Sequence, residues 1–307
     1  MIIDTHYHMM PQVSAGVIKG LITHARHAAG VMGISIDSET INKRSQKVWG
    51  DPDGARLIQG MAEEGVDVTV ICVVDVAGIA QYTAEMAQQT NQTAAKIAAK
   101  YPDQVIALAG VDPRRPEASD MLRQCFEEYG MRGLKYHPDY GYDPVGPESY
   151  KLLEIMQANQ GVLLSHTGPL MPPSRCRYTD PMLLSDIGVD FPDVKVVGAH
   201  MGMAEWRRWA NLALFQPNLY GDLAMWDGLA FGHYNLFCRE LRDLIDYVGV
   251  EKVLFGTDNP VYQVIRATKD WIQLIKDLPE KAPAGIDFSE TEVEAILGGN
   301  AATLFEI

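Results

Sequence analysis

No stretch of this 307-residue chain approaches the roughly 20 uninterrupted apolar residues that a membrane-spanning helix requires. Positive charge is also scarce. Lys and Arg number 26 against 40 Asp and Glu, a formal net charge of −14 with histidine neutral. Acidity on that scale argues against a nucleic-acid backbone or an anionic bilayer surface as partner. Cysteine is rare, with four in all. Cys72, Cys125, Cys176 and Cys238 show no C-x-x-C spacing, so neither a zinc ribbon nor a dithiol redox motif is present and reduced thiols are expected. The first residues lack the basic segment and small-residue cleavage site of a secretory leader, so a cytoplasmic setting is expected. No internal repeat or low-complexity linker divides the chain, which is read as one domain over 1–307.

What is present is a regular alternation. Eight short apolar runs recur: "MIID" (1–4), "VTVICVVD" (68–75), "VIALAGVD" (105–112), "RGLKYHP" (132–138), "GVLLSHTG" (161–168), "VKVVGAH" (194–200), "LYGDLAM" (219–225) and "KVLFGTD" (252–258). They are rich in Val, Ile and Leu and mostly continuous, the pattern of parallel strands buried on both faces. Helical spacing fills most intervals, as in "TAEMAQQTNQTAAKIAAKYP", and several such segments end at Gly. Eight strands alternating with helices in this length predict an α/β fold, a (β/α)8 TIM barrel. An open doubly wound sheet is the competitor, but no GxGxxG follows any run. Residues 9–50 are too long for an ordinary loop and are read as an inserted, lid-like segment after the first strand. Residues 169–180, "PLMPPSRCRYTD", form a proline-rich loop after the fifth.

The polar residues gather where a barrel keeps its chemistry. Side chains two apart on a strand share a face, so in "MIIDTHYHMM" His6 and His8 point together, with Asp4 leaning the same way. Imidazole is the commonest metal ligand, and a co-facing pair suggests a metal site. Lys135 and His137 end the fourth run, His166 the fifth, His200 the sixth and Asp258 the eighth. Five of the eight histidines therefore fall at the carboxyl ends of predicted strands, the catalytic face of a barrel.

As an ordered set, "DTHYH", "GLKYHP", "SHTG", "GAHMG" and "FGTDNP" resemble the strand ends of the amidohydrolase superfamily. They resemble more closely its amidohydrolase-related (amidohydrolase 2) branch, which includes aminocarboxymuconate semialdehyde decarboxylases, resorcylate decarboxylases and some lactone hydrolases. The resemblance extends over nearly the whole chain, to "ILGGNAATLF". It implies one divalent metal, usually Zn2+ with Mn2+ as alternative, held by His6, His8, His166 and Asp258. It also implies that His200 lies beside the metal and serves in proton transfer. Such a set leaves a position open for water, whose ionisation near neutral pH makes hydroxide available, with Asp258 able to take the proton. In binuclear relatives a carboxylated lysine on the fourth strand bridges two metals. Lys135 stands there, but the same motif occurs in single-metal members, so a second metal is not the expectation.

Lys135 and His137 face one way by strand alternation and are candidates for substrate binding, as are Arg175 and Arg177 in the loop after the fifth strand and Arg207 in "EWRRW". The plainer reading of Arg207 is a solvated helix charge. His24, His27 and His233 lie away from the strand ends and read as structural or lid residues. The function expected first is that of a metal-dependent hydrolase acting through metal-activated water on a small carboxylated ring, lactone or amide. A non-oxidative decarboxylase on the same scaffold is the nearest alternative. A third reading, a non-catalytic barrel with a structural metal used for binding, sits poorly with a histidine beside an otherwise complete ligand set. The resemblance also implies a homodimer.

Overall fold

The first strand runs past the apolar triplet that announces it. β1 spans Ile3–His8, so both histidines lie on the strand itself. The computed structural model describes residues 1–11, 15–78, 82–170, 172 and 174–307. Seven further strands follow: β2 Val68–Cys72, β3 Val105–Gly110, β4 Gly133–Tyr136, β5 Val162–His166, β6 Lys195–Ala199, β7 Leu219–Asp222 and β8 Val253–Leu254. They stand in chain order in one eight-stranded sheet with helices between them, the expected (β/α)8 barrel. The pairs from β3 to β7 are parallel, in a register that sets Lys135 opposite Leu164 and His166 opposite Ala199. Every residue of β2, β3, β4 and β5 is buried, which is why these strands read as mostly apolar runs. Among the described residues no helix is long and apolar enough to cross a membrane.

β8 is shorter than its apolar run predicts. After Leu254 the chain still bonds to β1, through Thr5 N to Phe255 O at 3.0 Å and His8 N to Asn259 O at 2.6 Å. Asp258, however, has a φ of +56°, in the left-handed region, and a regular strand cannot continue through it.

By contacts the chain divides into two compact units. The first comprises Met1–Thr69 and Leu223–Ile307. Within it the inserted segment forms two helices, Ala15–Val31 and Ser38–Val48. The second begins at Asp37, whose carboxylate accepts from Thr40 N at 2.7 Å and satisfies an otherwise orphaned helical donor. Met32, Ile41 and Trp49 pack on Tyr262, Val264 and Ile265, just beyond Asp258. Each large apolar side chain so buried contributes about 1.5–3 kcal/mol. Trp49 Nε1 also donates to Pro260 O at 3.1 Å, and Arg44 to Val264 O at 3.1 Å. The segment expected as a lid is thus docked on the chain after β8; its residues 12–14 lie outside the described residues.

The second unit, Val70–Asp222, carries β3 to β7 and the helices from Ala84–Lys100 to Trp206–Ala213. The helix Ala84–Lys100 starts at Thr83, whose hydroxyl accepts from Met86 N. Asn91 fastens it to the sheet, pairing with both the N–H and the carbonyl of Gly110 at 2.8 and 2.9 Å. β4 must open on glycine: a Cβ at Gly133 would stand 2.0 Å from the carbonyl oxygen of Val162. In the loop 169–180, residues 171 and 173 lie outside the described residues.

Candidate functional site

In the first unit, β1 alternation and the turn after β8 bring three ligand-type side chains together. His8 Nε2 lies 2.8 Å from Asp258 Oδ1, His6 Nε2 lies 3.4 Å from the same oxygen, and the two Nε2 atoms are 3.2 Å apart. An ion bound at about 2.0–2.1 Å spaces neighbouring ligand atoms by about 3.0–3.4 Å. The triangle therefore has the dimensions of one face of a coordination sphere. Two imidazoles and a carboxylate also suit a borderline divalent metal in their chemistry, and His6 and His8 belong to clusters able to hold one.

Asp4 organises this triangle from behind. It accepts from His6 N at 3.1 Å, from Thr257 N at 3.0 Å and from the Thr257 hydroxyl at 2.6 Å. One buried carboxylate thus ties the β1 end to the turn that carries Asp258. Burial pushes its pKa up to about 7, against the pull of the Thr257 and His6 hydrogen bonds and the Arg266 charge. Asp258 N donates to His6 O at 2.9 Å, so the left-handed conformation is held by bonds on both sides. A non-glycine residue in that region costs about 1–3 kcal/mol and persists only where its surroundings impose it. His24, read from sequence as structural, bonds through Nε2 to Tyr262 Oη at 2.8 Å; burial lowers its pKa and the Asp258 charge opposes that.

In the second unit three histidines form a stack. His137 and His166 lie parallel, 1° apart in plane with centroids at 4.8 Å, and His200 meets His166 edge-on at 5.0 Å. His166 Nε2 is 3.1 Å from Gly168 O. His200 N donates to Asp222 Oδ1 at 2.9 Å, so the strand-seven aspartate orients the backbone of the strand-six histidine. His200, like Asp258, has a positive φ, +65°. Thr167 clasps the same region, donating to Ala199 O at 2.6 Å and accepting from Gly202 N at 2.8 Å.

His137 Nδ1 pairs with Asp139, a residue the motif reading passed over although it stands only two positions on. Asp139 is also bonded by Ser174 and, through its carbonyl, by Arg175 N at 2.9 Å. Burial alone would raise this carboxyl, but His137, Ser174 and the Lys135 charge outweigh it and hold it below its usual range. Lys135 itself is buried.

The expected arginines fare differently. The side chains of Arg175, Arg177 and Arg207 are exposed. Arg177 lies over the Tyr178 ring and Arg207 over Trp206, the placement of solvated residues with an aromatic rest. The residues missed from sequence are Thr257, Asp139, and the buried partners Asp227 and Arg266. Thr257 and Asp139 carried a signal, since each adjoins or nearly adjoins a motif residue; the last two carried none.

The family model for amidohydrolases matches residues 3–307. The chain belongs to the amidohydrolase family. Its members are metal-dependent enzymes. No curated protein matches this amidohydrolase. Among solved structures it is similar to an uncharacterised TIM-barrel protein of Bordetella bronchiseptica, with a TM-score of 0.72 and 19% identity over 99% of this chain and 98% of that one. A dihydroxybenzoic acid decarboxylase of a Polaromonas species, with bound manganese and 2-nitroresorcinol, gives 0.67 and 18% over 99% and 96%. A 4-oxalomesaconate hydratase of Rhodopseudomonas palustris gives 0.63 and 19% over 100% and 96%. Decarboxylases of 5-carboxyvanillate share the architecture too. At such identities these likenesses establish the fold.

Proposed function

We propose that this amidohydrolase is a metal-dependent, non-oxidative decarboxylase of a small carboxylated ring, with His6, His8, His166 and Asp258 as ligands of one divalent ion. The observation that carries the metal is the His6–His8–Asp258 triangle in a chain of this family. Decarboxylases prevail among the enzymes it resembles in fold, which favours loss of carbon dioxide over the hydrolysis expected first from the sequence. Imidazole and carboxylate donors accept zinc and manganese alike; the manganese bound by the Polaromonas enzyme favours manganese here. One domain over 1–307, a homodimer and a cytoplasmic setting complete the proposal on resemblance and composition.

When bound, the ion supplies a Lewis acid that binds and polarises substrate oxygen. The chain's own residues do the rest. Heterolysis of the ring-to-carboxylate bond leaves its electron pair on the ring carbon, which must then receive one proton. His200, oriented through Asp222, is the proposed proton carrier. Lys135 and His137 are the proposed contacts for the substrate carboxylate, Lys135 as a buried cation and His137 with its ring fixed by Asp139. Lys135 acts unmodified, with a single metal. Arg175, Arg177 and Arg207, being exposed, enter no step.

The test is isotopic. Manganese-loaded protein is incubated in deuterium oxide with hydroxybenzoates bearing an ortho carboxylate, and separately with small lactones. Carbon dioxide release with one deuterium at the vacated carbon is the expected result. Uptake of water oxygen into an acyl group, with no carbon dioxide, overturns the proposal in favour of hydrolysis.

A further inference from the structure

A buried ion pair stands behind the His6–His8–Asp258 triangle and belongs to none of the sequence motifs. Arg266 Nε donates to Asp227 Oδ2, and the two residues are 5% and 0% exposed. The pair is poorly satisfied: among the described residues, Arg266 Nη1 and Asp227 Oδ1 find no hydrogen-bond partner. Burial keeps the Asp227 carboxyl above its usual range even with the guanidinium beside it. Such a pair is a weak source of stability, because desolvation takes back what attraction supplies. Its value must lie in what it holds.

Arg266 Nη2 reaches the carbonyl oxygen of Thr257, at 3.4 Å. That carbonyl immediately precedes Asp258 and its positive φ. The same turn is gripped by Asp258 N on His6 O at 2.9 Å and by Asn259 N on the Thr257 hydroxyl at 3.1 Å. The guanidinium adds a charged donor at the peptide unit that leads into Asp258.

We propose that Arg266, held in place by Asp227, is a positioning residue that keeps Asp258 in its left-handed conformation and its carboxylate toward His6 and His8. The inference rests on the metal reading above and assigns a task to residues which that reading leaves out. Removing Arg266 alone would strand the Asp227 charge, so the informative variant removes both charges, D227N/R266M, with R266K as the conservative control.

Two measurements decide it on the full-length protein: Mn2+ affinity, by electron paramagnetic resonance of the free ion, and hydrogen exchange of the segment 255–262, by mass spectrometry. We expect D227N/R266M to bind Mn2+ at least about tenfold more weakly than the parent, and R266K to stay within about threefold. Exchange should quicken in 255–262 of the double variant and not in the strands β3 to β7. An Mn2+ affinity equal to the parent's, or unchanged exchange in 255–262, overturns the proposal. Should the parent bind neither Mn2+ nor Zn2+, the metal reading fails separately, and exchange alone decides the positioning role.

Discussion

The imidazole of His166 lies flat against that of His137, 1° from parallel and 4.8 Å away between centroids. Asp139 fixes the His137 ring by pairing with its Nδ1.

Asp139→Asn therefore has a consequence with a definite sign. The folded-state pKa of Asp139 is depressed, so its ionised form contributes stability above the ordinary carboxylate range and loses it as pH falls through the depressed value. The substitution should cost about 1.5–3 kcal/mol at pH 7, the usual worth of a charge-assisted bond. The gap between variant and parent should narrow steadily below about pH 4. Urea denaturation at pH 7 and pH 3 measures both values; a gap that widens in acid contradicts the assignment.

The hydroxyl of Thr257 is the second point of leverage. Thr257→Val keeps the shape but leaves the buried Asp4 carboxylate without its 2.6 Å partner. A loss of about 1–3 kcal/mol is expected, accompanied by weaker metal binding because both ends of the triangle hang on Asp4. Thermal unfolding with and without added Mn2+ separates the two effects.

Much of this was legible in the sequence, for identifiable reasons. The carboxyl ends of buried parallel strands are where apolar runs stop and polar side chains begin, so His137, His166 and His200 announced themselves. Asp258 was visible in "GTDNP", yet its conformation was not: a left-handed aspartate leaves no periodic trace, and neither did the end of β8 at Leu254. Arg266 and Asp227 stand 39 residues apart and meet only through the fold. The arginines 175, 177 and 207 were read as candidate substrate contacts because they follow the fifth and sixth strands; sequence could not say that all three would be exposed.

His200→Asn separates proton transfer from metal binding. If His200 carries the proton, kcat should fall by about 10²–10⁴ while metal content stays at the parental level. Steady-state kinetics beside elemental analysis of the same preparation checks this. Unchanged turnover would remove His200 from the chemistry.

Metal and fold should also be linked. An ion that binds only the folded chain stabilises it by mass action, about 2.7 kcal/mol at a hundredfold excess over Kd. Chelation should lower the unfolding temperature, and Mn2+ should restore it in the parent.

The decisive quantity is the metal content of the protein as purified and after incubation with Mn2+ or Zn2+, compared with that of His8→Ala and Asp258→Ala. About one ion per chain is expected in the parent and almost none in either variant. A parent that takes up no ion, or variants that hold it as firmly, would rule out the metal site at His6, His8 and Asp258.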